Sequence, residues 1–396
     1  TWGGRSGDDR WLLERHPTLL ADVERVCLAC CQLMGQERPA SSAYLFVLHL
    51  LDEGYGGLEH DDSSVLVYGR RSLLKPEGYR RFLQLVAHEY LHQWNVRRLR
   101  PAELTPYDYG QAVVVPTLWF AEGITSYVDQ LLPHAAGITS QASVLEDLGA
   151  DLSRYWLTPG RAVQSLKASG EEAWVKLYKS DAHSFNNQIS YYLKGAVLAL
   201  VLDLHLRRHG ACLPQVLQAL WQSHGRWGRG YGEADLLACF ASFCPELRNL
   251  LPVWLQSCSD PTLEEYLVDV GLKLVPERAS HCDLGATFEA PMASASDLRV
   301  QRIQRDGPAC AAGLMVGDEL VAIDRQRVRS TDDLTALLSP DWANQEHCLL
   351  VCRDQQLREL LVTPAPVAIK AWSLQSDPDA TDHQLQVRQR WLALQV

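Results

Sequence analysis

The sequence predicts an α/β protein with a mixed first part, a mostly helical extension and a small β-rich domain towards the C-terminal end. Three observations carry this expectation. Helix-like and strand-like runs alternate up to about residue 135. From 138 to 274 the apolar spacing is mostly helical, with Gly and Pro as punctuation. After about residue 275 the runs become short and β-like. A chain of 396 residues is too long for one ordinary domain. The segments expected are 1–135, 136–275, 276–366 and a C-terminal tail over 367–396.

The elements follow in order. His16-Pro17-Thr18 leads into an apolar-periodic run, predicting a helix over 17–35. Ala43 to Leu51 reads as a buried strand, Gly54, Gly56 and Gly57 as a turn, and Ser64 to Tyr68 as a second strand. Phe82, Leu83, Leu85, Val86, Tyr90 and Leu91 recur at helical spacing, predicting a helix over 78–95. Pro101 to Gly110 is a loop. Thr117 to Leu132 is a helix that should stop before Pro133. Ile189 to Gly195 opens another helix that runs to Leu206. In the β-rich part, Leu298-Val300-Ile303, Glu319–Ile323, Cys348–Cys352 and Glu359–Val362 read as strands. A short helix, Thr331 to Leu338, sits behind a Ser330/Thr331 cap. No internal repeat is evident over 138–274.

Composition bounds the function. Hydrophobic residues make up 47% of the chain, enough for a sizeable core, and the formal net charge is -11. That balance argues against a nucleic-acid partner. Arg97, Arg98 and Arg100 form the sharpest basic cluster near a motif and read as a solvated or paired face. No uninterrupted apolar run reaches the ~20 residues of a membrane span. The longest, Ala196 to Leu206, is broken by Asp203 and His205 and reads as a buried helix. The eleven cysteines follow no framework spacing. Cys27, Cys30 and Cys31 share one predicted helix and read as part of its core face. Free buried thiols fit a reducing compartment, hence a cytoplasmic location. No signal peptide is in view at Thr1.

The chemistry concentrates in His88-Glu89-Tyr90-Leu91-His92. Residues four apart share a helix face, so both imidazoles can reach one ion. Zinc accepts nitrogen donors in a tetrahedral shell, and catalytic sites keep one position open. Glu89, one residue round, can accept a proton from a water attacking a carbonyl. The five-residue motif alone is of moderate specificity, since an exposed His pair on a helix also satisfies it. A third ligand separates the readings. Glu122, within Trp119-Phe120-Ala121-Glu122-Gly123-Ile124-Thr125-Ser126-Tyr127, is the candidate. A carboxylate in an apolar, aromatic helical segment is costly unless paired or bound to metal. Trp94 and Asn95 read as structural, closing the metal helix.

HEYLHQWNVRRLRP followed by WFAEGITSY resembles the glycyl aminopeptidase family, gluzincins that carry a PDZ domain. The resemblance covers nearly the whole chain. It implies a thermolysin-like catalytic domain with one zinc ion per chain, His88, His92 and Glu122 as its ligands and Glu89 as catalytic base. Members carry an N-terminal β domain, whereas this sequence begins almost directly with catalytic-domain residues.

Two further segments bear on substrate. Glycines let one backbone approach another. A peptide could add to the strand edge at Tyr55-Gly56-Gly57-Leu58-Glu59-His60. Glu59 would then meet the substrate's α-ammonium group, although a tight hairpin with an exposed Glu fits the same residues. The run resembles the family's GGLEH segment and is similar in place to the amine-binding segment of the aminopeptidase N family. That implies substrate contacts from Gly56, Gly57 and Glu59, with His60 structural or a minor contact. Ile189-Ser190-Tyr191-Tyr192-Leu193-Lys194-Gly195 resembles the Tyr-x-Lys-Gly segment of the aminopeptidase N family. This implies that Tyr192 donates to the oxyanion of a tetrahedral intermediate, with Tyr191 as fallback.

Gly307-Pro308-Ala309, Ala312-Gly313-Leu314 and Gly317-Asp318-Glu319-Leu320 resemble the core of bacterial PDZ domains. That implies either an extended peptide ligand, often a C-terminal one, with the carboxylate loop near Leu284-Gly285-Ala286, or a purely structural PDZ domain. The expected reaction is hydrolysis of the first peptide bond of a peptide with a free amino terminus, with Gly or Ala first by resemblance. Two rivals remain: a zinc endopeptidase whose substrates the PDZ domain recruits, and a non-catalytic PDZ scaffold. The intact Glu89 counts against the scaffold.

Overall fold

A computed structural model describes residues 8–289 and 298–396. The chain opens with α1 (Asp8–Arg15) and α2 (Leu19–Leu33). Helix α2 buries Val26, Ala29, Cys30, Cys31 and Leu33 along one face, as its apolar spacing predicts. The eleven cysteines are all free, and those on α2 are packing residues whose thiols burial pushes up.

Next comes a small sheet of β1 (Leu45–Leu51), β2 (Tyr55–Glu59) and β3 (Ser63–Gly69) in the order β1-β3-β2. β1 pairs parallel with β3, and β2 antiparallel with it. Two expectations change here. The glycine-rich run is a strand rather than a turn. Among the described residues β1 is an edge strand with alternating exposure rather than a buried one, leaving Leu45, Val47 and Leu51 exposed. A short apolar run does not tell one-sided from two-sided burial.

Two helices follow: the short α3 (Arg70–Leu73) and α4 (Gly78–Leu91), whose last turn carries His88. The helix predicted over 78–95 ends at Leu91 in regular form, and irregular turns carry the chain through Asn95. A π-helical turn, Trp119–Gly123, runs directly into α5 (Ile124–Ala135). α5 continues past Pro133, where a stop was expected. So near the end of a helix, the missing N–H removes one hydrogen bond while Leu131 and Leu132 stay fully buried.

The helical extension comprises α6 (Gln141–Trp156), α7 (Leu166–Glu171), α8 (Ser184–Asn187), α9 (Tyr191–Arg208), α10 (Leu213–Ser223), α11 (Glu233–Phe243), α12 (Leu247–Gln256) and α13 (Leu263–Leu267). α9 is the central helix. The segment Ser184–Arg208 is long and apolar enough to cross a membrane by composition, but 78% of its apolar window is buried inside the protein.

After β4 (Leu272–Arg278) a second, separate core begins. A sheet in the order β10-β9-β7-β6-β5 is formed by β5 (Ala286–Glu289), β6 (Leu298–Ile303), β7 (Glu319–Ile323), β9 (His347–Arg353) and β10 (Gln356–Val362). Between these lie α14 (Pro308–Ala311), β8 (Gln326–Arg327), which pairs with β7, and α15 (Thr331–Leu337). Ser330 caps α15 and Asp333 completes the capping box, as the sequence suggested. Residues 290–297, just before β6, lie outside the described residues.

Residues 367–396, set apart above as a tail, form β11 (Ile369–Ser376) and α16 (Asp382–Leu392). β11 pairs antiparallel with β4, so the strands entering and leaving the β-rich domain form one ribbon. α16 buries Trp391 and Leu392 in the first core, where Trp391 Nε1 donates to Tyr127 Oη at 2.6 Å.

Arg353 and the buried Asp318 form an ionic brace in the β-rich domain. Arg353 Nε and Nη2 each donate to the Asp318 carboxylate at 2.7 Å, and the Met315 amide donates at 2.8 Å. Burial alone would raise the Asp318 carboxyl, but these bonds outweigh it and hold it below the usual carboxylate range. A depressed folded value stabilises the fold above the unfolded value, and the gain is lost as pH falls through the folded one. Asp318→Asn should therefore cost about 2–3 kcal/mol at neutral pH, with the difference from wild type vanishing in acid. Hydrogen exchange of the amides in β6, β7 and β9 of the whole chain, measured across pH, checks this.

Candidate metal centre

His88 and His92 end α4 side by side, with ring centroids 4.6 Å apart. Glu122, on the π-helical turn, faces both: its Oε2 lies 3.4 Å from His88 Nε2 and 3.3 Å from His92 Nε2. One donor atom from each residue lies within 4.8 Å of the others. A tetrahedral ion with bonds of about 2.0–2.1 Å has donor-to-donor edges of roughly 3.3–3.4 Å, so these spacings fit a zinc-sized cation. Among the described residues, Glu122 Oε2 and Glu89 Oε2 are buried with no hydrogen-bond partner. Buried polar atoms without partners are costly, which favours a ligand between them.

The far ring atoms are also held. His88 Nδ1 meets Asp129 Oδ2 at 2.8 Å, and His92 Nδ1 meets the Asn95 carbonyl at 2.6 Å. Such outer partners fix the tautomer and leave Nε2 facing the ion. Asn95 Nδ2 reaches the Phe120 and Ala121 carbonyls and Thr125 Oγ1, tying the end of the His helix to the turn that bears Glu122. Burial alone would raise Glu122, but His92 and His88 hold it below the usual carboxylate range. Burial alone would lower His88, yet Asp129 and Glu122 lift it well above its ordinary value. The pocket thus favours a carboxylate facing positive charge, which a divalent cation supplies.

Glu89 is buried, and burial pushes its carboxyl up to about 7 despite the two histidines. Glu59, at the end of β2, brings its carboxylate within 4.8 Å of donor atoms on Glu89 and His92. Gly57 packs directly on Glu89. A Cβ at 57 would stand 2.3 Å from Glu89 Cδ and Oε1. Gly57→Ala should therefore leave the melting temperature within a few degrees, because a side chain end can rotate away. It should lower kcat/KM roughly a hundredfold by displacing the carboxylate. Thermal melts beside kinetics on an amide substrate check both halves. Gly56, by contrast, has open space where a Cβ would stand.

Tyr192, on the first turn of α9, has its ring 6.4 Å from the His88 ring, while the Tyr191 hydroxyl is engaged with Tyr178 at 2.9 Å. Burial, with Glu122 nearby, raises the Tyr192 phenol far above its ordinary value, so it stays protonated. Lys194 turns away and donates to the Arg161 and Gln164 carbonyls.

The arginines are paired. Arg97 bonds Asp61 at 2.7 Å, Arg98 bonds the Asp61 carbonyl, and Arg97 and Arg100 lie over the Tyr107 ring. The backbone of His60 donates to Ser63 in the adjoining turn. Sequence reasoning passed over Asp129 and gave Asn95 only a structural part. The available signal for Asp129 was a carboxylate two helical turns beyond Glu122, in another apolar stretch.

Residues 81–198 match the M61 glycyl aminopeptidase family, and residues 269–363 match the PDZ domain. The first match takes in the His, Glu and Tyr motifs but not Glu59. A crystal structure of an aminopeptidase N family protein from Idiomarina loihiensis superposes with a TM-score of 0.87 at 27% identity, covering 95% of this chain. The chain spans 66% of that protein's length. An M1 zinc metallopeptidase from Deinococcus radiodurans aligns over 61% of this chain and 45% of its own, at 20% identity and a TM-score of 0.40. A serine endoprotease from Yersinia pestis aligns over 22% of this chain and 30% of its own, at 20% identity and a TM-score of 0.20. Curated protein sequences give no match. The resemblance to the glycyl aminopeptidase family holds across residues 81–198, and that to PDZ domains across 269–363.

Proposed function

We propose that this chain carries a zinc-dependent aminopeptidase site that hydrolyses the N-terminal peptide bond of peptides, with Gly or Ala as the preferred first residue. His88, His92 and Glu122 would hold the ion. When bound, zinc acts as a Lewis acid towards the peptide carbonyl and lowers the pKa of water. Glu89 takes a proton from the attacking water as its oxygen bonds to the carbonyl carbon. The Tyr192 hydroxyl donates to the oxyanion that develops. The proton on Glu89 then passes to the departing nitrogen as the C–N bond breaks.

The observation that carries the aminopeptidase reading is Glu59. Its carboxylate lies within 4.8 Å of the Glu89 and His92 donor atoms, close enough to anchor a substrate α-ammonium beside the scissile bond. β2 is an edge strand among the described residues, so a peptide backbone can align along it past Gly56 and Gly57. An endopeptidase needs no such carboxylate. In the PDZ domain, β5 is likewise an edge strand, and a C-terminal peptide adding there, with its carboxylate near Leu284-Gly285-Ala286, is the partner this reading assigns.

The test is hydrolysis of Gly and Ala fluorogenic amides, free and N-acetylated, with zinc present. Cleavage of the free amine alone, with Glu59→Ala raising KM more than it lowers kcat, supports the reading. Equal cleavage of the acetylated amide would establish the endopeptidase instead. Stoichiometric zinc with no turnover of either amide would establish the scaffold.

A further inference from the structure

A second group of donor side chains meets at the C-terminal end of α9, remote in sequence from the peptidase motifs. His205, His209, Cys244 and Glu246 each bring one donor atom within 4.8 Å of the others. His205 stands on the last turn of α9 and His209 caps its C-terminal end, with ring centroids 4.7 Å apart. Cys244 and Glu246 flank Pro245 in the turn between α11 and α12. His205 Nε2 lies 3.4 Å from Cys244 Sγ and 4.0 Å from Glu246 Oε2, and His209 Nε2 lies 3.7 Å from the same oxygen.

We propose that these four residues form a second metal site, a closed structural zinc site with two imidazoles, one thiolate and one carboxylate. A tetrahedral zinc with bonds of about 2.0–2.3 Å has donor edges of roughly 3.3–3.8 Å, and the contacts here need only small adjustments to meet them. His205 Nδ1 lies 3.2 Å from the Tyr266 hydroxyl. With that hydroxyl accepting from Nδ1–H, Nε2 turns its lone pair towards Cys244 and Glu246, the outer-partner arrangement of ligating histidines. Nε2, the Cys244 sulfur and a Glu246 carboxylate oxygen then face one point, donors that a single cation can bind together. The mixed N, S and O set suits zinc better than calcium or magnesium, which take oxygen alone.

The consequence is mechanical. His205 and Cys244 are buried while His209 and Glu246 reach the surface, so the ion would pin the α11–α12 turn to the last turns of α9. The first turn of that helix carries Tyr192. The site takes no part in the reaction and does not depend on the catalytic reading.

Cobalt(II) is the probe, because a thiolate ligand adds a near-ultraviolet charge-transfer band that the peptidase site, with no sulfur, does not. After chelation and dialysis, the whole chain should take up two equivalents, one of them with that band. His88→Ala should take up one equivalent and keep the band at full intensity. Cys244→Ser should lose the band and take up one equivalent. His209→Gln, a surface change that spares the core, should weaken the band-forming site on the order of tenfold or more. A wild-type chain that shows no charge-transfer band, or one whose band survives Cys244→Ser, overturns the proposal. Because the band reports only on the thiolate site, this result stands whether or not the peptidase site proves active.

Discussion

Glu89→Gln should lower kcat by about 10³–10⁴-fold, equivalent to about 4–5.5 kcal/mol of barrier, while zinc content and melting temperature stay at or above wild type. The two halves share one cause. Glu89 is 5% exposed, and its Oε2 has no hydrogen-bond partner among the described residues. A carboxylate there is expensive to bury, and burial duly raises its carboxyl to about 7. Glutamine keeps the shape and the packing against Gly57 but removes the charge and the basicity. The folded state gives up an unfavourable burial, and the proposed reaction gives up its proton acceptor. Metal analysis, thermal melts and turnover of a free-amine amide on one preparation separate these effects. A variant that keeps more than a tenth of wild-type kcat would remove Glu89 as the base.

Much of this site is legible in the sequence because it depends on periodicity within single helices. His88 and His92 share a face at a spacing of four, and Glu122 stands out as a carboxylate among Trp119, Phe120 and Ile124. What escapes the sequence are contacts between segments and departures from ideal helix. Asp129 on His88 and the Asn95 carbonyl on His92 are pairings that no local pattern encodes. The π-helical turn at 119–123 changes which face Glu122 presents, and no propensity scale foresees it. Gly57 reads as part of a turn until the structure brings Glu89 against it. The same limit applied to β1, whose apolar run reads alike at an edge and in a sheet centre.

Domain organisation was legible to a similar depth. The glycine punctuation from Gly307 to Gly317 marks the PDZ core, because those turns are local. The closing ribbon of β4 and β11 is not local, since its partners stand on either side of the whole domain. The last thirty residues, set apart as a tail, carry several charges. Trp391 was the clue: a fully buried indole whose N–H finds the Tyr127 hydroxyl makes α16 part of the main core.

Gly123→Ala should destabilise the chain by about 3 kcal/mol, roughly 3–5 °C in melting temperature for a chain of this size, and lower kcat/KM by roughly a hundredfold or more. The sign is informative, because propensity alone predicts the opposite. Alanine in a helix is favoured over glycine by about 1 kcal/mol. Here the glycine lets two helices touch at their backbones. A Cβ at 123 would stand 2.5 Å from Gly195 Cα and 2.7 Å from its carbonyl carbon, and one at 195 would stand 2.8 Å from Gly123 Cα. Backbone atoms of buried helices cannot step aside as a side chain end can, so the clash outweighs the propensity gain. Relief requires α9 to move away from the turn that holds Glu122, and α9 carries Tyr192 in its first turn. One methyl group therefore shifts a proposed ligand and a proposed oxyanion donor together, in opposite directions. Gly195→Ala should behave alike, and the double variant should cost less than the sum of the two, since one separation accommodates both methyls. Melting curves and kinetics on the three variants read this directly. A rise in melting temperature for Gly123→Ala would mean that the helices do not meet at these two glycines.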